Sequence, residues 1–145
     1  MDLKATHCQN WFGFFTYEEF NEETEQEIKV DFTLKINIEG NSFTGTSFDK
    51  ESINCFDNPA KIKGFMDNEK ISFVMKYPYH YFTDKYGQIQ TDKNSEHPDI
   101  QYLGFFNKEK NQVEGTWEMA LYSESYLDGF LEEVISGRFE MSLKI

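Results

Sequence analysis

From Ile28 to Glu39 the chain reads IKVDFTLKINIE, and apolar and polar side chains alternate without a break. Ile28, Val30, Phe32, Leu34, Ile36 and Ile38 form one set, and Lys29, Asp31, Thr33, Lys35, Asn37 and Glu39 the other. A period of two residues is that of an extended strand, whose successive side chains point to opposite faces. A strand so long and so one-sided must bury its apolar face. A lone hairpin is marginal in water, so the rest of the chain has to supply matching faces.

It does so through a series of hairpins. Gly40-Asn41 suits a two-residue primed turn, whose twist matches the strands it joins. That turn pairs Glu39 with Ser42, Ile38 with Phe43, Ile36 with Gly45 and Leu34 with Ser47, so Phe43 joins the apolar face. In AKIKGFMDNEKISFVMKY, a turn at Asp67-Asn68 would set Gly64 opposite Ile71, Ile62 opposite Phe73 and Ala60 opposite Met75. Lys61, Lys63, Lys70 and Lys76 then share the other face. A third hairpin turns near Lys108 to Lys110, after which Val113, Gly115, Trp117, Met119 and Leu121 alternate with polar neighbours. In the last segment Ile135, Gly137, Phe139, Met141, Leu143 and Ile145 make one face. QNWFGFFTY near the start is another strand, with aromatic residues on both faces.

The reading gives eight strands, at 9–17, 26–39, 42–49, 59–66, 70–78, 99–106, 112–122 and 134–145, in a single domain spanning 1–145. A short helix is an option in YLDGFLEEV. The segment 78–98 is long for a connection, and a small extra hairpin around Tyr86-Gly87 or a lid would account for it.

Glycines decide between a sandwich and a barrel. Gly45, Gly64, Gly104, Gly115 and Gly137 fall inside strands, in phase with the apolar face, and Gly13 lies in the first strand. Inward glycines mark sharp bends or close backbone approaches, as a strongly coiled sheet requires, and they would also spare interior volume. A sandwich needs long crossovers, of which the chain has one. The expected fold is therefore all-β, an eight-stranded antiparallel up-and-down barrel whose interior side chains just fill, or which admits one small ligand.

This layout resembles the calycin-type barrels, which include lipocalins, fatty-acid-binding proteins and avidins. NWFGFFTY is similar to their first-strand signature, although Trp11 and Gly13 stand in the order W-x-G where lipocalins have G-x-W. NSFTGTSFD resembles an avidin-style second hairpin, and IQYLGFF, VEGTWEM and SGRFEMSL resemble small bacterial lipocalin-like proteins. The resemblance implies a late-strand arginine packed over the first-strand tryptophan. Arg138 would take that place over Trp11, yet its phase is outward.

Composition narrows the function. The formal charge is −12, which opposes binding to nucleic acid or an anionic membrane. Six glutamates lie between positions 18 and 27, a solvated loop or a docking surface for a basic protein partner. Cys8 and Cys55 are too few for a disulfide framework and read as reduced thiols. With no secretory pattern at the start, the expected location is cytoplasmic.

No catalytic residues, metal ligands or cofactor emerge. His7, His80 and His97 have no metal-ligand spacing with Cys, Asp or Glu. The expected site is the barrel interior: Trp11, Phe32, Phe73, Tyr77, Tyr102, Trp117 and Phe139, with Asp49 as a polar anchor near one rim opposite Phe32. Tyr79, Tyr81, Phe82 and Tyr86 are too many aromatics for a solvated loop and are expected to cap one mouth. Two functions follow. One is a lipocalin-like protein holding a small, largely apolar ligand. The other is a filled barrel whose acidic surface serves protein interaction, as an inhibitor or immunity-type partner.

Overall fold

The computed structural model describes residues 7–17, 29–52, 55–56, 58–83, 86–125 and 129–144. The glutamate-rich run at 18–27 lies outside them. Eight strands form a closed antiparallel barrel: β1 (His7–Thr16), β2 (Lys29–Glu39), β3 (Ser42–Asp49), β4 (Ala60–Met66), β5 (Lys70–Lys76), β8 (Ile100–Asn107), β9 (Gln112–Ser125) and β10 (Gly129–Leu143). Round the ring the order is β1-β10-β9-β8-β5-β4-β3-β2. Each strand thus pairs with its chain neighbours, and β1 meets β10 to close the circle. Between β5 and β8 the chain leaves the wall to form a separate two-stranded sheet, β6 (His80–Thr83) and β7 (Ile89–Asp92). The extra hairpin anticipated around Tyr86-Gly87 is this one.

The alternation in β2 is complete. Val30, Phe32, Leu34, Ile36 and Ile38 are buried, and the residues between them are exposed. The Gly40-Asn41 turn sets the expected register, from Glu39↔Ser42 through Leu34↔Ser47 to Phe32↔Asp49. The aromatics of β1 resolve into two sets. Trp11 and Phe15 point inward. Phe14 lies outside, beneath Lys29 Nζ at 4.6 Å and the Arg138 guanidinium at 5.5 Å, both favourable for a cation over a ring. Arg138 therefore covers Phe14 and not Trp11, because its outward phase puts the barrel wall between it and the indole.

Two expectations are corrected. In the second hairpin Gly64 pairs with Phe73, Ile62 with Met75 and Met66 with Ile71, so the turn centres one residue later, on Asn68-Glu69. Asp67 causes the shift. Its Oδ1 accepts from the amides of Glu69 at 2.7 Å and Lys70 at 2.9 Å, and its own amide donates to the Lys70 carbonyl. Moving the centre by one residue slides the register by two, which leaves the inward and outward sets unchanged. The helix considered for YLDGFLEEV does not form: β10 begins at Gly129, and Gly129 to Val134 pair with Ser125 to Ala120. The long β9–β10 ladder satisfies that backbone across strands instead. Residues 126–128 of that stretch lie outside the described residues.

The inward glycines mark close approaches rather than spare volume. A Cβ on Gly137 would stand 1.7 Å from the Thr16 carbonyl oxygen and 2.7 Å from Trp117 Nε1. There the end of β1 lies against β10, and Trp117 Nε1 donates to the Thr16 carbonyl at 2.8 Å. On the neighbouring strands β9 and β8, Gly115 and Gly104 pair directly, and the space over Gly104 is taken by Val113 and Phe139. Phe139, Ile36, Ile71 and Val113 are fully buried, so this part of the interior is filled.

Gly137→Ala is expected to lower stability by roughly 3 kcal/mol or more, since backbone would have to move. Gly87→Ala, at φ +79° in open space, should cost about 1 kcal/mol from its left-handed backbone alone. Urea unfolding of the two variants, read against the wild type, checks the contrast.

Candidate functional site

Carboxylates and phenols gather at the barrel end where β3 finishes and β4 begins. Asp49 is the last residue of β3 and occupies an inward position. It is 3% exposed, so it sits in the protein and not in rim water. Burying a carboxylate is costly unless its lone pairs are satisfied. Oδ1 accepts from the Ser52 amide at 2.7 Å, and Oδ2 accepts from Ser52 Oγ at 2.9 Å and from the Tyr77 hydroxyl. Tyr77 follows β5 directly and reaches across the barrel end to do so.

Glu51 continues the inward phase of β3 beyond Asp49. Tyr17 and Tyr81 both donate to its Oε1, at 2.5 Å and 3.0 Å. Tyr17 likewise continues the inward phase of β1, after Trp11, Gly13 and Phe15. Phe56 stacks against Tyr77 and meets Tyr79 and Tyr81 edge-on, with centroids 4.7–5.7 Å away. Tyr79 donates to the Cys55 carbonyl at 2.7 Å. His97 is buried against Tyr77 and Tyr81, at 4.9 Å and 5.0 Å between ring centroids. Below this layer Phe15 touches Tyr17, Phe32 and Trp117.

Burial sets the protonation pattern. It pushes the Tyr17, Tyr77 and Tyr81 hydroxyls above their usual range, and the nearby Glu51 and Asp49 carboxylates push further. The phenols therefore stay protonated and serve as donors. Burial also raises Glu51, with the bonds from Tyr17 and Tyr81 opposing the rise. His97 is pushed down to about 4, chiefly by burial, and is a neutral imidazole at pH 7.

Ser47 stands one inward position before Asp49 on β3, paired with Leu34 and Ala60. It is 2% exposed, and its hydroxyl has no hydrogen-bond partner among the described residues. A buried hydroxyl without a partner costs about 1–3 kcal/mol and calls for an explanation. Its neighbours are small, Ala60 beside it and Gly45 one inward step along β3.

The eight residues expected to line the interior thus divide. Asp49 and Tyr77 belong to the polar network. Phe32 and Trp117 form its floor through Phe15. Phe73, Tyr102 and Phe139 pack on one another in the body of the core, with Phe73 and Tyr102 stacked at 4.6 Å. Trp11 faces Phe106 near the opposite end. Of the mouth aromatics, Tyr79 and Tyr81 pack on Phe56 at this end. Phe82 and Tyr86 are instead 43% and 76% exposed, because Phe82 is on the outer side of β6, stacked on His80, and Tyr86 is in the β6–β7 turn. Glu51 and Tyr17 could have been found by extending the strand alternation past the strand ends. The hairpin register places Ser47 on the inner face, and only its lack of a partner among the described residues singles it out. Nothing local marks Phe56 or His97.

A groove of about 710 Å³ runs along the outside of the wall, between β8–β9 and the segment Ser95–Asp99. His97 is shared between it and the phenol cluster; none of the eight expected interior residues lines it. Cys8 and Cys55 are free thiols. Among the described residues no group of three or more His, Cys, Asp or Glu side chains is placed to hold a metal ion.

No protein-family model matches the chain, and no curated protein matches it. Among solved structures, rhizavidin aligns with a TM-score of 0.50 at 13% identity, covering 98% of this chain and 87% of that one. A rhizavidin–biotin complex aligns with a TM-score of 0.49 at 12% identity, covering 97% of both. The fold is that of the calycin-type up-and-down barrels, and at these identities the likeness extends to the fold alone.

The resonances of His97 are expected to titrate with a midpoint near 4 in a proton NMR series. A lowered folded value means that its contribution to stability is present above about 6.5 and is lost as the pH falls towards 4. Urea unfolding should show that loss, up to about 3 kcal/mol, in the wild type and not in His97→Gln. Glu51 acts in the opposite sense. Its raised value favours the fold at low pH, and that contribution fades as the pH rises through its folded pKa.

Proposed function

We propose that this protein binds a small molecule at the Asp49–Glu51 end of the barrel, the ligand being largely apolar with a hydrogen-bonding head. The observation that carries the reading is the buried hydroxyl of Ser47, without a partner among the described residues and one inward position from the buried carboxylate of Asp49. A head group with a donor and an acceptor satisfies Ser47 and meets the Tyr77 hydroxyl oxygen, whose proton is already committed to Asp49. The body of the ligand rests against Phe15, Phe32 and Trp117. Apolar walls with a few fixed polar groups are how small-molecule sites achieve both affinity and orientation.

Binding at this end differs from filling the whole barrel. The core around Phe73, Tyr102 and Phe139 is occupied by side chains, which confines the ligand to the Asp49–Glu51 end of the interior. An acidic interaction module with no ligand is the competing reading, and the filled core is what favours it.

Native mass spectrometry of the protein as purified, followed by a thermal-shift screen of small heterocyclic amides, phenols and carboxylic acids, tests the proposal. Ser47→Ala separates binding from folding. It removes a hydroxyl that has no partner among the described residues, so the ligand-free protein should unfold at the same or a slightly higher urea concentration, while ligand affinity drops about tenfold. A Ser47→Ala protein that loses stability and binds unchanged would place the hydroxyl's partner within the protein and overturn the reading.

A further inference from the structure

The outward positions of β3, β4, β5 and β8 form a face that contradicts the charge of the whole molecule. The chain carries 26 carboxylate side chains against 14 Lys and Arg. Yet from Ser42 on β3 to Phe105 on β8 none of the outward positions of these four strands is acidic. Lys61 and Lys63 project from β4, and Lys70 and Lys76 from β5. Among the described residues, Lys61, Lys63 and Lys70 form no ion pair; Lys76 meets Glu96 at 3.7 Å and Asp99 at 4.0 Å, at the border of the face.

The register makes the concentration of charge explicit. Lys35 pairs with Thr46, Thr46 with Lys61, and Lys61 with Lys76, so three lysines lie in one cross-strand row over four strands. Like charges directly opposite one another destabilise a sheet. The same face exposes large apolar groups. Phe65 is 62% exposed and Phe105 is 55% exposed. Phe65 pairs with Ser72, Ser72 with Leu103, and Lys70 with Phe105, which places Phe65, Leu103 and Phe105 on adjoining rows. Val74 lies between Lys63 and Gln101.

We infer that this face docks an acidic protein segment bearing apolar side chains. Exposed aromatic and aliphatic groups bordered by charge have the anatomy of a protein interface, with an apolar centre and a polar rim. The sign of the rim selects a carboxylate-rich partner and repels a second copy placed face to face, since that would set lysine against lysine. A single-stranded nucleic acid would find Phe65 and Phe105 to stack on but nothing to match Leu103 and Val74, whereas the apolar side chains of a peptide use all four. This surface is on the outside of the wall, away from the barrel-end site, and does not depend on the ligand proposed there.

The test is an NMR titration of the ¹⁵N-labelled full chain with a synthetic peptide alternating glutamate with leucine and phenylalanine. Three comparisons accompany it: the same peptide with lysine for glutamate, a single-stranded oligodeoxynucleotide, and the protein alone over a concentration series. The expected result is amide shifts confined to β4, β5 and β8 with the acidic peptide. Binding should weaken several-fold as salt rises from about 50 to about 300 mM. Lys61→Glu/Lys63→Glu should abolish it while melting no lower than the wild type, because it removes the Lys61–Lys76 repulsion. The inference is overturned if the acidic peptide causes no shifts on this face, if the lysine peptide or the oligonucleotide binds there more tightly, or if the face is perturbed by self-association alone.

Discussion

An eight-stranded sheet with no other layer packed on it buries one face by curling on itself, and the curl is limited by how closely backbones can approach where it is tightest. That contact geometry governs this molecule. Where β1 lies over β10, the Thr16 carbonyl comes so near Gly137 that any side chain there would collide with it. The same carbonyl receives the indole N–H of Trp117. Closure, the seating of an interior tryptophan and the absence of a side chain at 137 are thus one arrangement. Once the ring is shut, each of its eight strands has a neighbour on both sides, and alternate side chains within the ring share one interior.

The interior is not uniform. Its body is aliphatic and aromatic and is closed off by Phe73, Tyr102, Phe139 and their neighbours. One end instead holds two carboxylates, two buried serines and a group of phenols. In a low-dielectric setting such groups are tolerated only as a connected network. Here the network is asymmetric. Protonated phenols satisfy Asp49 and Glu51, the backbone and hydroxyl of Ser52 complete Asp49, and Ser47 is left over. Natural folds that leave one buried polar group unmatched usually do so at a functional site. The proposed binding site rests on this meeting of a polar end with a hydrophobic body.

The exterior is also divided. Outward positions are under little packing constraint, so their composition is free to serve other ends. On β3, β4, β5 and β8 that freedom has produced a lysine and phenylalanine surface on a strongly acidic protein, and a cross-strand lysine pair that the fold would be better without. Inside and outside thus carry separate chemical messages on the same strands, one for each phase of the alternation.

Strand identity, most of the pairing and the barrel itself were legible in the residues, because a period of two and a Gly-Asn turn are local properties written into neighbouring positions. The second hairpin was misread by one residue, since Asp67 captures two amides through its side chain, and a single side-chain bond outweighs the general preference for a turn type. Asp49 was correctly set on the inner face opposite Phe32 for the same local reason. What no stretch of sequence could say is that Tyr17, Phe56, Tyr81 and His97, drawn from four separate segments, would meet Asp49 and Glu51 at one end. The alternation decides which side of the wall a residue faces. Only the closed ring, through its tilt and the path of the chain between β5 and β8, decides which residues share an end, because those contacts are made across the barrel rather than along the chain.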